Sequence, residues 1–483
     1  MAVRRRVAGL VVIAALLSTA GPSTAAGNLA QADPSVNLHP VAQLVASDGF
    51  AGDGFGHDVD IDGDVMVVGA IGAAYVFTRS DGKWSETAKL TVPDEPSLGS
   101  WVALDRDVIA VGAAGAVYVF ARGDGGWVET AKLSVPDEPS LGSWVALDRD
   151  VIAVGAAGAV YVFARGDGGW VETAKLSVPD EPSLGSWVAL DRDVIAVGAA
   201  NAVYVFESSE EGWFSEHLVP SEGLADGPFS SGGDIDDDVI VVAGRWLLHV
   251  FVRSDQGWSE AAELLPFDHA VGFDGEVAVD GDVIVAGTYG FVLALPPAPN
   301  RAADMYVKPS SGWIDAIPPV GLMATAGVPG DKFGVSTAID ADVIALGVVG
   351  GRPIPCEAQE SVYVYAKPPS GWADAVLVTR IQASDVGIPP DRQYGYFGGS
   401  VALDEGWLAV GASSVTIGLN PGQGAVYLFD LADVIAPLDQ ESSGGVHRAY
   451  WGLLGVAGLV LFVAALAFYA RRTRCTAAAD DNL

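Results

Sequence analysis

Short apolar segments separated by turn residues run through most of this chain. From Trp101 the order is WVAL, an Asp-Arg-Asp turn, VIAVGA, a turn at Gly115, AVYVF, a glycine-rich turn and WVETAKLSV. Apolar residues either alternate with polar ones or run together over four to six positions, which is typical of half-buried and fully buried strands. The pattern predicts four antiparallel strands joined by hairpins.

This four-strand unit recurs at a fixed spacing. Residues 101–143 are repeated without a change at 144–186, and a third copy starts at Trp187 and diverges after Ala200. Such a unit can bury its apolar face only against its neighbours, and four strands per period of about 40 residues is typical of a β-propeller blade. The sequence therefore predicts an all-β fold, a β-propeller of four-stranded blades.

The number of blades follows from the hairpins. They begin near residues 55, 101, 144, 187, 232, 275, 333 and 397, which gives eight blades, or seven if one degenerate unit is miscounted. The last hairpin ends at 424–430 without a fourth strand, and Val41–Ala46 resembles the missing strand. A ring closed in this way has no free sheet edge. We predict a monomeric propeller over residues 41–430, closed by its N-terminal strand.

Two apolar segments flank this region. Residues 1–26 read as a basic start, a short apolar run and an Ala-rich end, which predicts a secretory signal peptide. Residues 450–470 are uncharged, long enough to cross a bilayer, and followed by Arg471, Arg472 and Arg474. We expect a single-pass transmembrane helix there, with a stalk at 431–449, a cytoplasmic tail at 471–483 and the propeller outside the plasma membrane. A processed C-terminal sorting signal stays open as an alternative, because Gly444 and Gly445 precede the apolar run.

Net charge limits the class of partner, and cysteine content limits the disulfides that can form. The formal net charge of −35 disfavours nucleic acid by repulsion. The two cysteines, Cys356 and Cys475, fall on opposite sides of the predicted membrane and cannot pair. The sequence thus predicts no disulfide framework.

The order of motifs within each unit resembles a known family. Phe-Gly at 55–56, 333–334 and 397–398 is followed by a strand, an Asp-containing turn, Val-Gly-Ala or a close variant, and a segment such as Gly-Ala-Val-Tyr-Val-Phe. This order is similar to that of FG-GAP repeat proteins, which include the N-terminal part of integrin α-subunits. The resemblance implies a propeller in an extracellular setting that works in adhesion or protein recognition.

Integrin-like blades that bind calcium carry a longer acidic loop than this chain has. The matching segments here are short turns, such as Asp62-Gly-Asp64, with too few oxygens to enclose a Ca²⁺ ion. We expect their carboxylates to accept backbone N–H groups, and we expect no cofactor. Calcium binding at Asp60, Asp62 and Asp64 is the alternative.

Catalytic motifs are missing from the sequence. The six histidines form no metal-ligand spacing, and there is no G-x-S-x-G elbow, phosphate-binding loop or dinucleotide fingerprint in a strand-to-helix context. Seven tryptophans occupy the same place at the start of the fourth strand, which indicates packing between blades; they are Trp84, Trp127, Trp170, Trp213, Trp258, Trp313 and Trp372. We therefore expect a protein that is not an enzyme.

The connection between the second and third strands varies in length. It takes a few residues in the identical blades and grows at about 288–303, 348–360 and 413–423. Insertions on one face of a repeat ring indicate a binding face, and the candidate partner-binding residues in these loops are Arg301, Arg352, Glu357 and Asn420. The sequence predicts a non-enzymatic binding or adhesion module for an extracellular protein or glycan. The alternatives are a structural envelope protein without a specific ligand, and an enzyme whose site lies in the central channel.

Overall fold

The computed structural model describes residues 38–435 with gaps. The gaps are 100, 137, 139, 143, 200–201, 210–211, 220–231, 245, 267–271, 290–300, 316, 324–331, 350–359, 389–394 and 433–434. The predicted signal peptide, transmembrane helix and cytoplasmic tail, nearly all of the stalk, and Arg352 and Glu357 lie outside the described residues. No helix among the described residues is long and apolar enough to cross a membrane.

The described chain forms 32 strands. The closing strand is β1 (Ala42–Leu44). Blades 1 to 4 contain β2 (Val59–Asp62), β3 (Val65–Ala70), β4 (Ala73–Ser80), β5 (Lys83–Leu90); β6 (Val102–Asp105), β7 (Val108–Ala113), β8 (Ala116–Gly123), β9 (Gly126–Leu133); β10 (Trp144–Asp148), β11 (Val151–Ala156), β12 (Ala159–Gly166), β13 (Gly169–Leu176); and β14 (Val188–Asp191), β15 (Val194–Gly198), β16 (Val203–Ser209), β17 (Gly212–Leu218). Blades 5 to 8 contain β18 (Gly233–Asp236), β19 (Val239–Ala243), β20 (Leu248–Ser254), β21 (Gly257–Leu264); β22 (Gly272–Asp280), β23 (Val283–Tyr289), β24 (Arg301–Val307), β25 (Val320–Met323); β26 (Lys332–Asp340), β27 (Val343–Val349), β28 (Ser361–Ala366), β29 (Val376–Gln382); and β30 (Phe397–Asp404), β31 (Trp407–Ala412), β32 (Ala425–Asp430).

These strands form an eight-bladed β-propeller, as the hairpin count predicts. Each blade is a four-stranded antiparallel sheet, and blades 6 and 7 are joined by one extra pairing between Tyr289 and Lys332. The innermost strands, β2, β6, β10, β14, β18, β22, β26 and β30, each contact the next around the ring, and β30 contacts β2. They therefore surround a central channel.

The last blade is completed by the N-terminal strand. β1 pairs antiparallel with β32, with Ala42 opposite Leu428 and Leu44 opposite Val426. The order in this sheet is β1, β32, β31, β30, so the outermost strand of blade 8 comes from the opposite end of the ring sequence. The predicted closure is confirmed, and it covers the edge that β32 would expose.

The hydrophobic core lies between the blades. Residues of blades 8 and 1 share one cluster, which includes Trp84 and Trp407, and each later pair of neighbouring blades has its own. All seven predicted tryptophans belong to these clusters or pack against them. Five start an outer strand as predicted, whereas Trp313 and Trp372 precede β25 and β29. Their packing role between blades is confirmed.

Alternation along the innermost strands separates the core from the channel. In β2, Val59 and Ile61 are buried between blades, while Asp60 and Asp62 are only partly buried on the opposite face. This is the period-two pattern of a strand. The polar positions of the innermost strands therefore line the channel.

Candidate functional site at the channel mouth

The two faces of the ring differ in their connections. We call the face where the innermost strands begin the loop face, because the connections between second and third strands also lie there. Blades 2 and 3 have two-residue connections, at 114–115 and 157–158. The connections of blades 6, 7 and 8 span 290–300, 350–360 and 413–424. The predicted length asymmetry is confirmed, and the long connections lie on neighbouring blades.

A cavity of about 520 Å³ opens into the channel on the loop face. This is within the size range of small-ligand sites. The residues that line it come from blades 1, 2, 6, 7 and 8; they are His57, Asp58, Trp101, Glu276, Val335, Ser336, Val349, Tyr396, Gly399, Ser400, Val401, Ser413 and Ser414.

One strand position supplies most of the chemistry of this cavity. It is the residue before Val59, Val102, Val277, Thr337 and Val401, which occupy one position of the innermost strands, and it holds Asp58, Trp101, Glu276, Ser336 and Ser400 in these blades. In a propeller, equivalent positions meet around the channel, so residues hundreds of positions apart come together. The residues that differ between blades at this position therefore determine the charge and polarity of the channel mouth.

Two carboxylates give the cavity its charge. Asp58 Oδ2 accepts a hydrogen bond from the backbone N–H of Val102 at 2.9 Å, and Glu276 Oε2 accepts one from Thr337 at 2.9 Å. Desolvation raises the pKa of Asp58 to about 6 and that of Glu276 to about 7, and the hydrogen bonds oppose this. The charge of Asp58 also raises the pKa of Glu276. Glu276 is nevertheless an exposed residue by surface area.

Two further carboxylates lie farther along the channel than Asp58 and Glu276. Asp60 accepts hydrogen bonds from Leu104 and Ile61, both at 2.8 Å, and Asp234 accepts them from Val279 and Ile235, both at 2.9 Å. Burial raises the pKa of Asp60 to about 7 and that of Asp234 to about 6. The channel therefore combines a high density of acidic groups with poor solvation.

Tryptophans of the identical copies converge on the other side of the mouth. The rings of Trp101 and Trp144 stack with centroids 4.9 Å apart, and His57 meets Trp101 edge-on at 6.3 Å. Trp187 is only 3% exposed. It lies against Gly198 and Gly233, where an added Cβ would come within 2.1 and 2.5 Å of its ring. Identical copies thus place the same residue in different environments.

Two of the predicted partner-binding residues, Asn420 and Arg301, lie in the described part of the chain. Asn420 lies in the long connection of blade 8, and its amide donates to the carbonyl of Gly49 at 3.3 Å and to Gln423 Oε1 at 2.9 Å. It therefore fastens this connection to the N-terminal segment. Arg301 is the first residue of β24, with its backbone opposite Met323, so it begins a strand.

The three candidate calcium ligands have different partners. Asp60 accepts backbone hydrogen bonds as above, Asp62 accepts one from the backbone of Arg106, and Asp64 pairs with Arg79 at 2.5 Å. The predicted acceptance of backbone N–H groups is observed, but the donors to Asp62 and to one oxygen of Asp60 belong to the next blade. In the described part of the chain, two groups bring three metal-ligand atoms within 4.8 Å of one another, and neither includes these residues. The two groups are His249, Glu260 and Glu263, and Asp191, Asp236 and Asp237.

Comparison with known proteins agrees with the motif order. Residues 39–81 match the FG-GAP repeat family. This segment is similar to an FG-GAP repeat. The match spans β1 to the end of β4, and with the eight-bladed ring it confirms the resemblance seen in the sequence.

A comparison with curated proteins gives no match to this chain. Two solved structures similar to it are Hsv2 from Kluyveromyces lactis and a chain of the mitotic checkpoint complex. The first is 10% identical, with a TM-score of 0.43, over 67% of this chain and 97% of that chain. The second is 13% identical, with a TM-score of 0.43, over 82% of this chain and 96% of that chain.

The Phe-Gly pair at 55–56 lies at the edge of the channel mouth and fixes the backbone there. Phe55 is fully buried and meets Tyr75 and Phe77 edge-on, at 5.4 and 5.9 Å between ring centroids. Gly56 has a φ of 86°, and a Cβ there would lie 2.6 Å from the carbonyl oxygen of Ala425. Only glycine fits this close approach between blades 1 and 8. The pair thereby positions His57 and Asp58, the next two residues, at the cavity.

Proposed function

We propose that this protein is a non-enzymatic binding module whose partner docks on the loop face and inserts a positively charged group into the channel mouth. The observation that carries the proposal is the cavity of about 520 Å³ that contains the carboxylates of Asp58 and Glu276. A protein that presents a lysine or arginine side chain is the partner that this chemistry favours.

The electrostatics of the mouth support a cationic group. Desolvation raises the pKa of both Asp58 and Glu276, and the charges of Asp58 and Asp234 further raise the pKa of Glu276. A bound cation would stabilise their charged forms, since an opposite charge within a few ångströms offsets desolvation. The exposed ring of Tyr396 and the face of Trp101 lie beside them, and aromatic faces attract cations. Acidic and aromatic groups therefore favour the same ligand.

The surroundings of the mouth support a macromolecular partner. Leu419, at the tip of the long connection of blade 8, is 96% exposed. Phe50 and Ile71 are 64% and 67% exposed, and backbone hydrogen bonds tie their segments to the same corner of the ring: Gly52 donates to Pro421, and Ile71 to Asp53. Exposed apolar residues beside a polar cavity are typical of protein interaction sites.

We further propose that the ring is held outside the cell by the segment at 450–470. The basis is the sequence pattern: a leader at 1–26 and an uncharged segment followed by arginines. Protease treatment of intact cells tests this. Loss of the ring with survival of a fragment carrying a C-terminal tag supports the orientation, and protection of the ring contradicts it.

The binding proposal is tested with the full-length protein on arrays of synthetic peptides and of glycans. The peptides form sets that differ at one central position, which is Arg, Lys, Gln or Glu. We expect binding to peptides with Arg or Lys, and at least a tenfold loss for Glu276→Gln, because glutamine keeps an acceptor for Thr337 but removes the charge. Binding to glycans without dependence on charge would contradict the cationic group, and binding to neither array would contradict the module.

The matched control is Asp105→Asn. Asp105 lies at the opposite end of the channel and accepts a hydrogen bond from the backbone of Arg149. Like Glu276→Gln, the substitution replaces a carboxylate of an innermost strand with an amide. We expect it to leave peptide binding unchanged. An equal loss of peptide affinity in both variants would show that the net charge of the protein, and not the carboxylates of the channel mouth, determines binding.

A second candidate function is an enzyme with its site in this cavity. The observation that favours it is the presence of His57 and Glu276 in the cavity, because these residue types do not recur at their positions in the other blades. A carboxyl group with a pKa of about 7 suits general acid–base work. Turnover of a glycoside or ester panel that is abolished by Glu276→Gln would establish this function and overturn the binding module.

A further inference from the structure

Blade 5 differs from blades 1 to 3 on its two outer strands. In blades 1 to 3 a tyrosine of the third strand lies opposite a lysine of the fourth: Tyr75 and Lys89, Tyr118 and Lys132, Tyr161 and Lys175. The lysine Nζ lies 5.0 to 5.1 Å from the ring centroid in all three pairs. In blade 5 the same cross-strand pair is His249 and Glu263. Both members of the pair have changed, from an aromatic ring and a cation to an imidazole and an anion.

A β-bulge adds a third side chain to this pair. The register between β20 and β21 shifts between Val250 and Phe251, which leaves Ala261 without a partner in the ladder. Residues three apart on a regular strand point to opposite faces, and one extra residue brings them to the same face. Glu260 and Glu263 therefore both face His249. His249 Nδ1 lies 2.8 Å from Glu260 Oε1, and one atom from each of the three residues lies within 4.8 Å of the others.

The charge of this cluster differs from that of the equivalent clusters. In blades 1 to 3 the bulge is flanked by a glutamate and a lysine, as with Glu86 and Lys89. In blade 5 the lysine position holds Glu263, so two carboxylates share the site with an imidazole. Both carboxylates would attract a bound cation.

The cluster is enclosed enough to hold an ion in place. The side chains of His249 and Glu260 are only 5% and 11% exposed. Ligand atoms of one Zn²⁺ ion lie about 2.0 to 2.2 Å from it, so in a tetrahedral site they are roughly 3.3 to 3.6 Å apart. The 2.8 Å between His249 Nδ1 and Glu260 Oε1 is a hydrogen-bond distance. A bound metal ion would replace this hydrogen bond and separate the two atoms by roughly 0.5 to 0.8 Å more.

We propose that His249, Glu260 and Glu263 form a binding site for a divalent transition-metal ion such as Zn²⁺. One imidazole nitrogen and two carboxylates are ligands that zinc accepts, and the nitrogen favours zinc over calcium, which prefers oxygen ligands alone. Three protein ligands leave a fourth position for water or for a group from a partner. The site lies on the outer strands, away from the channel mouth, and is independent of the function proposed above.

The test uses the full-length protein, stripped of metal and titrated with Co²⁺ and Zn²⁺. Co²⁺ reports its coordination by visible absorption, and Zn²⁺ competes for the same site. We expect one equivalent of Co²⁺ to give bands that one equivalent of Zn²⁺ abolishes, while Ca²⁺ at the same concentration leaves them unchanged. Absence of these bands in the wild type would overturn the proposal.

The decisive variant is the double substitution His249→Tyr with Glu263→Lys. It restores the pair found in blades 1 to 3, so the blade has a precedent for folding within the same chain. We expect Zn²⁺ affinity to fall at least tenfold, with an unchanged circular dichroism spectrum. Glu260→Gln, a smaller change, should show the same fall.

The other acidic group in the described chain provides the control. Asp191, Asp236 and Asp237 also bring three ligand atoms together, but Asp237 pairs with Arg192 and the group lacks histidine. Asp236→Asn should leave metal binding unchanged. Equal affinity in the wild type and the double variant, or a loss only in Asp236→Asn, would show that the ion binds elsewhere.

Discussion

Asp404 in the last innermost strand accepts a hydrogen bond from the backbone N–H of Gly63 in the first, at 2.6 Å. The two residues are 341 positions apart. The same contact links earlier blades, with Asp62, Asp105, Asp148, Asp191 and Asp236 accepting from Arg106, Arg149, Arg192, Asp237 and Gly281. Every one of these donors has a φ between 50° and 57°. An aspartate at the end of each of these six innermost strands thus binds the turn of the next blade, and Asp404 extends this series across the junction of the chain ends.

Removal of the Asp404 carboxylate should weaken ring closure. Asp404→Ala leaves the N–H of Gly63 without this acceptor, and we expect the free energy of unfolding to fall by about 1 to 3 kcal/mol. Asp404→Asn keeps a carbonyl oxygen in the same place and should lose less. Urea unfolding followed by tryptophan fluorescence measures both. Equal losses for alanine and asparagine would mean that the hydrogen bond is not what stabilises the junction.

The closing strand should contribute through its buried face. Leu44 is 8% exposed and belongs to the core between blades 8 and 1, whereas Val41 is 57% exposed. We expect Leu44→Ala to lower the free energy of unfolding by about 2 to 5 kcal/mol. Val41→Ala should change it by less than about 0.5 kcal/mol. Thermal unfolding of the two variants checks this, and a similar melting temperature for both would contradict the closure by β1.

Much of the architecture could be predicted because it depends on local pattern and on the repeat. Period-two alternation and glycine- or aspartate-rich turns identify the strands, and the missing strand after Asp430 indicates the closure at Val41. The hydrogen bonds of the aspartates could not be predicted in the same way. Asp62 looks like a turn residue, but its donor is Arg106, 44 positions away in the next blade. A turn motif alone cannot distinguish a local donor from one in the neighbouring blade.

The channel mouth was harder to predict for the same reason. His57, Glu276 and Tyr396 are far apart in the sequence, and only the rotation of the blades brings them to one cavity. The available signal was the departure of Asp58 and Glu276 from the residues at the equivalent position in other blades. Loop length predicts Asn420 and Arg301 instead. Loop length locates the face but does not show that the amide of Asn420 is already hydrogen-bonded within the ring.

The close contact between Trp187 and Gly233 predicts that substitutions at these two positions are energetically coupled. Gly233 occupies the position held by Val59, Val102 and Val188 in other blades, and a Cβ there would lie 2.5 Å from the indole. We expect Gly233→Val to lower the free energy of unfolding by about 1 to 3 kcal/mol through overpacking. In a Trp187→Ala background the same substitution should cost less or stabilise, because valine then fills part of the cavity.

A double-mutant cycle measures this coupling. The four proteins are the wild type, each single variant and the double variant, compared by urea unfolding. A coupling energy near zero would contradict the contact between Gly233 and Trp187. The control is Gly125→Val, a turn position where nothing lies within 4 Å of an added Cβ, and it should have no coupling with Trp187→Ala.

The desolvated carboxyl groups of the channel predict that stability falls as pH rises. Desolvation raises the pKa of Asp60 to about 7, above the ordinary value of 3.8. Between those values the folded protein holds a proton that the unfolded chain releases, so the stabilisation is complete below about pH 4 and is lost as pH rises through about 7.

We expect Asp60→Asn to remove the contribution of Asp60 to this pH dependence. The loss of unfolding free energy between pH 4.5 and pH 8 should then be smaller than in the wild type by at least about 1 kcal/mol, since one pKa unit corresponds to about 1.4 kcal/mol. Asp124→Asn, at an exposed turn, should keep the slope of the wild type, and a parallel pH profile for Asp60→Asn would show that Asp60 is charged in the folded ring at neutral pH.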